Sequence, residues 1–239
     1  MTMATTMARI LCIETSTLNC SAALVECGGD SVEPNARVIA LDEAATENYS
    51  HAEKLHVMID GLVRDAGLSP SDLDAIAIGS GPGSFTGLRI GAAAAKGMCC
   101  ALGIPLIAVS TLELLVLQGR DRHPEARHIV PALDARRMEI YTFDSDGAPV
   151  ATVVDSNFMA DLEGRVVLIG DGAMKCQDVL AEAGAWTFDD SFPSAAALCV
   201  PATARFTAGK FEDLATFEPG YLKAFVAGRP KDPLGLRNE

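Results

Sequence analysis

The chain has 239 residues, 49% of them hydrophobic and 21% charged, which suffices for one large domain or two smaller ones that share a cleft and argues against wholesale disorder. Its 32 acidic and 19 basic side chains give a formal net charge of -13. Because affinity for nucleic acid comes largely from neutralising phosphates, this balance disfavours a chain that holds nucleic acid by itself.

The first half of the chain predicts three antiparallel strands followed by alternating helices and strands. Short apolar, β-rich segments define the strands, and apolar residues at helical spacing define the helices. The strands are expected at 9–13, 20–26, 37–41, 73–78 and 104–109, and the helices at 49–66, 84–102 and 111–118. This order is typical of the ribonuclease-H-like fold, of which two units face each other in actin, Hsp70 and the sugar kinases.

The second half predicts a smaller lobe of the same kind. Its strands are expected at 128–133, 137–143, 150–154 and 165–169, and its helices at 172–183 and 194–210, the latter interrupted at Pro201. We therefore predict an α/β, actin-like fold of two lobes with a reduced second lobe. The predicted divisions are a disordered extension at 1–8, an N-terminal lobe at 9–115, a C-terminal lobe at 116–225 and a mobile tail at 226–239.

A glycine-rich turn at 79–91, GSGPGSFTGLRIG, joins a predicted strand to a predicted helix. Two interpretations are open: a cradle of backbone N–H groups for an anion at the start of the helix, or a tight structural turn. It is not a P-loop, because G-x-x-x-x-G-K-[ST] is absent, and it lacks the third glycine of a dinucleotide fingerprint. Ser84 is placed to cap the helix by accepting a hydrogen bond from an early N–H group.

Small residues form a stripe along the same helix. Gly87, Gly91 and Ala95 lie four residues apart and therefore share one face. Since a glycine inside a helix costs roughly 1 kcal/mol relative to alanine, the stripe predicts close approach of another helix. That helix is either the one at 49–66 or one from a second molecule, and both interpretations are open.

The first strand ends in Glu14 and Thr15, within the segment ILCIETST. In phosphotransferases of the actin-like class this strand ends in an Asp followed by Gly, where a metal-bound nucleotide approaches. Here Glu14 replaces the Asp, and hydroxyl side chains occupy the place of the glycine, so the catalytic form of the turn is lost. We favour a structural turn over a vestigial ligand contact.

Two further turns follow strands of the second lobe. The segment PALDARRMEIYTF contains Asp134, and the segment LIGDGA contains Gly170, Asp171 and Gly172. In the actin-like class a second phosphate loop and an adenosine loop lie at about these places, so these residues are candidates for a vestigial nucleotide cleft. Two ordinary β-turns rich in Asp and Gly are an equal alternative.

No motif for a metal or a nucleophile is present. His51 and His56 are five residues apart, too far around a helix to share one face. His123 and His128 have the same spacing. The sequence also lacks H-E-x-x-H and G-x-S-x-G, which disfavours a metallohydrolase and a serine hydrolase. We therefore predict that this chain binds no metal.

The cysteines and the apolar segments predict a cytoplasmic protein. The seven cysteines are odd in number and form no C-x-x-C, a pattern that disfavours a disulfide framework. The longest apolar stretch, 90–109, is interrupted by Lys96 and Pro105, so no membrane span is expected.

Several segments, taken in order, resemble the TsaB (YeaZ) family. They are ILCIETST near the start, HAEKL at 51–55, GSGPGSFTGLRIG at 79–91, GIPLIAVSTLELL at 103–115, PALDARRMEIY at 131–141 and PGYLK at 219–223. The glycine-rich segment is the most specific of them. Glu14 stands where the family commonly has Asp, and Lys223 where it usually has Arg.

The resemblance implies a non-catalytic subunit of the bacterial complex that makes N6-threonylcarbamoyladenosine on tRNA. The implied partners are the catalytic subunit TsaD and the ATPase TsaE, with a homodimer when TsaD is absent and only indirect contact with tRNA. No cofactor is expected of this chain, since ATP and a metal belong to the partners. The docking face is expected on the helices at 49–66 and 84–102, at Leu55, Met58, Ile59, Leu62, Ser84, Gly87, Leu88, Gly91 and Ala95.

Two other functions are weighed against this one. An autonomous ATPase or phosphotransferase of the sugar kinase class would use the glycine-rich turn with Asp134 or Asp171, but the altered turn at Glu14 disfavours it. A metallohydrolase would need pairs of ligands that the histidine spacing does not provide.

Overall fold

The computed structural model describes residues 7–28, 36–45, 50–180 and 186–223. The strands are β1 (Ala8–Glu14), β2 (Asn19–Cys27), β3 (Ala36–Ala45), β4 (Ala75–Gly79), β5 (Leu106–Val109), β6 (His128–Pro131), β7 (Leu133–Asp134), β8 (Glu139–Phe143), β9 (Pro149–Val153), β10 (Val166–Ile169) and β11 (Trp186–Asp189). The helices are α1 (His51–Asp65), α2 (Phe85–Leu102), α3 (Thr111–Arg122), α4 (Gln177–Leu180) and α5 (Cys199–Thr207), with 3-10 helices at Pro70–Asp72, Met174–Cys176 and Ala195–Leu198. The predicted extension up to residue 6 and the predicted tail at 226–239 lie outside the described residues.

The first lobe is built on a five-stranded sheet in the order β3-β2-β1-β4-β5. The strands β1, β2 and β3 pair antiparallel, and β4 and β5 extend the sheet in parallel from β1. Each parallel strand follows a helix, because a parallel neighbour requires a crossover connection. This confirms the predicted ribonuclease-H-like order of three strands followed by alternating helices and strands.

Helices cover both faces of this sheet. Side chains alternate along β1, so that Leu11 and Ile13 belong to the core beneath α1 and α2. Ile10 and Cys12 point the other way, into a core completed by α5 and the 3-10 helix before it. The sheet is therefore the middle one of three layers, which is why its central strands are apolar on both faces.

The helix α2 begins with the cap that its sequence predicts and ends at a glycine. Ser84 Oγ accepts a hydrogen bond from Gly87 N at 3.2 Å, which confirms the predicted N-cap. Gly103 ends the helix in the left-handed region at φ 68°, where a side chain would be strained.

Within the described ranges, no helix is both long and apolar enough to cross a membrane.

The second lobe contains two three-stranded sheets that share one stretch of chain. The strand β6 pairs in parallel with β10, whereas β7 pairs antiparallel with β8. Only Ala132 separates β6 from β7, so the chain leaves one sheet and enters the other within a single residue. Between the lobes lies α3, with Leu114 in the first-lobe core and Leu112 and Leu115 in the second-lobe core.

The last helix corrects the predicted lobe boundary. We expected 116–225 to form the second lobe, but Leu198 and Ala202 pack against Ile10 on the first sheet. A local apolar pattern predicts that a segment is buried but not which core it joins.

Pro201, predicted to interrupt a helix, is the third residue of α5, where its missing N–H costs no helical hydrogen bond.

Two elements of the second lobe also differ from the prediction. The helix expected at 172–183 is split into a 3-10 helix and the short α4, and residues 181–185 lie outside the described part of the chain. The strand β11 was not predicted, because it is a four-residue edge strand in which no side chain is fully buried and the apolar alternation is weak.

Candidate functional site

The first candidate residue, Glu14, is a fully buried carboxylic acid at the end of β1. Its Oε1 accepts a hydrogen bond from Ser16 N at 2.6 Å, and its Oε2 has no hydrogen-bond partner among the described residues. Burial raises the pKa of Glu14 against the opposing effect of its hydrogen bonds. A β-carbon on Gly79, in the neighbouring strand, would overlap this carboxyl group, which explains the first glycine of the turn.

Thr15 and Ser16 attach the end of β1 to α2. Thr15 Oγ1 donates to the carbonyl oxygen of Gly87 at 2.9 Å. Ser84 N donates to the carbonyl oxygen of Ser16 at 2.6 Å. A β-carbon on Gly87 or Gly91 would overlap atoms of Thr15. At these two glycines the group that approaches α2 is therefore the turn after β1. The sequence analysis had expected either the helix at 49–66 or a helix of a second molecule, and both expectations are corrected here.

Two backbone N–H groups of the glycine-rich turn are bound inside the chain. Gly81 N donates to Thr111 Oγ1 at 3.1 Å, and Ser84 N is bound as described above. Gly220 covers the turn, because its N donates to the carbonyl oxygen of Ser80 at 2.8 Å. These contacts favour the structural interpretation of the turn.

The second-lobe candidates are brought together in one place. Asp134 N donates to Asp171 Oδ1 at 2.8 Å, and Gly172 N donates to the carbonyl oxygen of Ala132 at 2.9 Å. Gly170 has φ 130°, and a β-carbon there would overlap the Ala132 carbonyl group. The two turns are thus hydrogen-bonded to each other, and their glycines are required by that close approach.

Two lysines neutralise the carboxylates of these turns. The Lys175 ammonium group pairs with Asp134 and donates to the carbonyl oxygen of Glu139 at 2.6 Å. Lys223 Nζ lies 2.6 Å from Glu139 Oε2. Burial raises the pKa of Asp171 to about 6. Over the described ranges, no group of three or more His, Cys, Asp or Glu is arranged to hold a metal ion.

The segment 217–223 joins the turns of the two lobes, a role that the sequence did not predict. Phe217 packs against the first-lobe core, and the ring of Tyr221 lies 4.8 Å from that of Phe85 at the start of α2. Lys223 then reaches the β7–β8 turn of the second lobe. The signal available was the family motif PGYLK, which marks the segment without showing what it contacts.

The predicted docking residues on α1 and α2 lie inside the first lobe. Leu55 and Ala95 are fully buried, and Leu88 is only 2% exposed. The other buried members of the set are Met58, Ile59, Leu62, Gly87 and Gly91, and Ser84 is the half-buried cap of α2. Because the apolar stripes of both helices face their own sheet, a docking face centred on these residues is wrong.

The solvent-facing side of the same two helices carries one apolar residue and several small ones among charged neighbours such as Asp60 and Arg89. Val57 is 71% exposed on α1, and Ala93, Gly97 and Cys100 are exposed on α2. A β-carbon on Gly97 would meet no atom within 4 Å, so nothing inside the chain requires a glycine there. We refer to Val57, Ala93, Gly97 and Cys100 as the outer helix face.

The strand order and the two lobes define an α/β protein of the actin-like, ribonuclease-H-like class. Residues 44–197 match the family model of TsaD, described as tRNA N6-adenosine threonylcarbamoyltransferase. Over 92% of its length the chain is 31% identical to the tRNA threonylcarbamoyladenosine biosynthesis protein TsaB of Escherichia coli K12, of which it covers 96%.

Structural similarity extends over the same length. YeaZ from Pseudomonas aeruginosa matches with a TM-score of 0.71 at 26% identity, over 90% of this chain and 100% of that one. By contrast, the tRNA N6-adenosine threonylcarbamoyltransferase of Novosphingobium aromaticivorans is 37% identical over 51% of this chain and 38% of its own length. The chain belongs to the TsaB (YeaZ) family, which confirms the resemblance seen in the sequence.

Replacing Gly91 and Gly97 by alanine, one at a time, tests the roles of the two glycines. Gly91→Ala should lower the free energy of unfolding by about 1–3 kcal/mol, because the new β-carbon overlaps Thr15. Gly97→Ala should raise it by about 0.5–1 kcal/mol, because the position is open and alanine reduces the entropy of the unfolded chain. Urea unfolding measures both changes, and equal effects would contradict the packing described.

The raised pKa of Asp171 predicts a pH-dependent stability. Since burial raises this pKa from 3.8 to about 6, the folded state favours the protonated acid, and its stabilising contribution is lost as the pH rises through about 6. Asparagine keeps an acceptor for Asp134 N but does not ionise. Asp171→Asn should therefore be more stable than the parent by about 2 kcal/mol at neutral pH and above, and nearly equal to it at about pH 4.

Urea unfolding at both pH values measures this difference. Asp178→Asn is the control, because Asp178 is exposed on α4. A stability difference between Asp171→Asn and the parent that stays constant with pH would show that the buried carboxylate is not its cause.

Proposed function

We propose that this chain is a non-catalytic subunit in the biosynthesis of threonylcarbamoyladenosine on tRNA, in which it docks and activates a TsaD-like catalytic subunit. The observation that carries the proposal is the glycine-rich turn before α2, against which the chain's own residues pack. Thr15 and Ser16 occupy the side of α2 where a phosphate would have to approach, and the Ser84 N–H is bound to the chain itself. A protein built this way contributes surfaces rather than a nucleotide site.

The extent of the similarity supports the same proposal. The likeness to the protein named for threonylcarbamoyladenosine biosynthesis spans 96% of that protein, whereas the likeness to the transferase spans 38% of the transferase. The autonomous ATPase or phosphotransferase is disfavoured, because it would need free donors at Gly81 and a free carboxylate at Asp134, and both groups are bound within the chain.

The outer helix face is the docking surface that we propose in place of the buried residues. Its small side chains allow the backbone of a partner helix to approach closely, and Val57 supplies an apolar side chain that is 71% exposed. A standard interface covers roughly 800 Å² per partner, which two adjacent helices can provide. If a second copy of the chain uses this face when the catalytic subunit is absent, the two partners exclude each other.

The proposed function assigns tRNA, ATP and a metal to other subunits. With a formal net charge of -13, this chain is unsuited to hold tRNA, so we propose that tRNA contacts the other subunits. A TsaE-like ATPase is the third component, and ATP and a metal belong to these partners.

Gly97→Arg tests the docking surface. The monomer should fold normally, because no atom lies within 4 Å of a β-carbon at this position. The affinity of this chain for the TsaD-like subunit should fall at least about tenfold, because the arginine would overlap the partner and bury an unpaired charge. Ala204→Arg is the matched control, since Ala204 is exposed on α5 on the opposite side of the first sheet. The measurement is co-expression with the TsaD-like subunit of the same organism, followed by size-exclusion chromatography and a tRNA modification assay.

The outcomes separate the surface from the function. A complex that survives Gly97→Arg but depends on the parent chain for modification would move the docking surface elsewhere. Full tRNA modification without this chain, and no complex with the parent protein, would contradict the proposed function itself.

A further inference from the structure

The segment 217–223 holds the two lobes together in a way that differs from the rest of the chain. The chain crosses into the second lobe through α3 and returns to the first through residues 190–194, between β11 and the 3-10 helix before α5. Lobes joined by chain crossings of this kind can turn about them unless a further contact prevents it. The segment 217–223 makes such a further contact, and it can be broken without opening either core.

The attachment of this segment to the first lobe is spread over several residues. The carbonyl oxygen of Phe217 accepts a hydrogen bond from Lys96 Nζ at 3.0 Å, and Phe217 also packs against the first-lobe core. Gly220 N donates to the carbonyl oxygen of Ser80 at 2.8 Å, and the ring of Tyr221 packs at the start of α2. Loss of any one of these contacts leaves the others in place.

The attachment to the second lobe depends on Lys223. Its Nζ lies 2.6 Å from Glu139 Oε2, donates to the carbonyl oxygen of Ala135 at 2.9 Å and lies 5.6 Å from the centre of the Tyr141 ring. The same ammonium group lowers the pKa of Glu139. Among the described residues, every hydrogen bond, ion pair and ring contact between this segment and the second lobe belongs to Lys223.

The ion pair at this end is open to solvent. The side chains of Lys223 and Glu139 are 34% and 32% exposed, and no residue of the segment 217–223 is buried. An exposed ion pair contributes little to stability and is weakened by salt. A segment with few buried groups also opens locally at a lower free energy than the cores do. The segment is therefore easier to release at Lys223 than at its first-lobe contacts.

The turn that receives Lys223 has a strained backbone. Arg136 and Arg137, between β7 and β8, have φ values of 67° and 53°, in the left-handed region that residues with a side chain rarely adopt. Ala135 and Glu139, which bind Lys223, lie on either side of these two arginines. Strain of this kind persists only where surrounding contacts hold it, so loss of Lys223 would let the turn relax.

We propose that the segment 217–223 is a latch between the lobes. It stays on the first lobe and releases the second at Lys223, after which the β7–β8 turn relaxes and the lobes turn about the two chain crossings. Every group involved belongs to this chain, so the latch does not depend on the partner or the docking surface proposed above.

The distance between two spin labels, one on each lobe, tests the latch. Ala204→Cys places a label on α5 in the first lobe, and Asp178→Cys places one on α4 in the second, because both positions are exposed. Cys100→Ser removes the one exposed cysteine, and the other six are buried. Pulsed electron paramagnetic resonance should give one narrow distance for this labelled chain.

Lys223→Met in the labelled chain should broaden that distance or add a second one, because methionine keeps an apolar side chain but removes the ammonium group. Lys210→Met is the matched control, since Lys210 is an exposed lysine after α5 whose side chain makes no hydrogen bond or ion pair with a described residue. The exchanged pair Lys223→Glu, Glu139→Lys should give a narrower distribution than either single variant, because it restores the ion pair.

Amide hydrogen exchange provides a second readout, which separates release of the latch from a general loosening of the fold. In Lys223→Met, peptides that cover the β7–β8 turn should exchange roughly fivefold faster or more, whereas those that cover β1 should be unchanged. High salt should accelerate exchange of this turn in the parent but not in the variant.

Three results would overturn the latch: the same narrow distance in Lys223→Met as in the parent, equal broadening by Lys210→Met, or faster exchange of β1 as well as of the turn. The last of these would show that Lys223 supports the fold as a whole.

Discussion

The fold depends on the contact between the turn that ends β1 and the bare side of α2. Gly87 and Gly91 remove the β-carbons that would hold the helix away, so Thr15 reaches the helix backbone and donates to the Gly87 carbonyl oxygen at 2.9 Å. Each helical glycine costs roughly 1 kcal/mol, which the burial of Thr15 and its hydrogen bond offset. Since β1 is the central strand of the first sheet, this contact fixes α2, and with it α1, relative to the whole lobe.

The same region uses donors that an anion would need. An anion needs free donors at the start of a helix, and the N–H groups of Gly81 and Ser84 in this turn are bound to Thr111 and Ser16. The carboxyl group nearby, Glu14, has a pKa raised by burial and accepts a hydrogen bond from Ser16 N, so it also serves the internal packing of this turn. The first lobe also presents two adjacent helices, α1 and α2, whose outer sides face away from the sheet.

The sequence predicted the elements well and their surroundings less well. Hydrophobic spacing identified α1 and α2, and the local sequence identified the cap at Ser84, because these depend on residues near one another in the chain. The same spacing could not show whether the stripe containing Leu55 faces a sheet of its own lobe or a partner. The glycine stripe predicted a close approach correctly but not the group that approaches, since Thr15 lies 72 residues from Gly87. The return of α5 to the first sheet was missed for the same reason. A local sequence pattern shows that a residue is buried, but it does not show which sheet the residue packs against.

The second lobe presents the opposite situation to the first. There the chain changes from one sheet to another at Ala132, whereas in the first lobe Gly87 and Gly91 let the chain pack closely on itself. The two lobes are joined by α3, which places Leu114 in the first-lobe core and Leu112 and Leu115 in the second-lobe core. The segment 217–223 provides a second connection, because it contacts the start of α2 and the β7–β8 turn. The relative placement of the two lobes therefore depends on α3 and on this segment, which lie far apart in the chain.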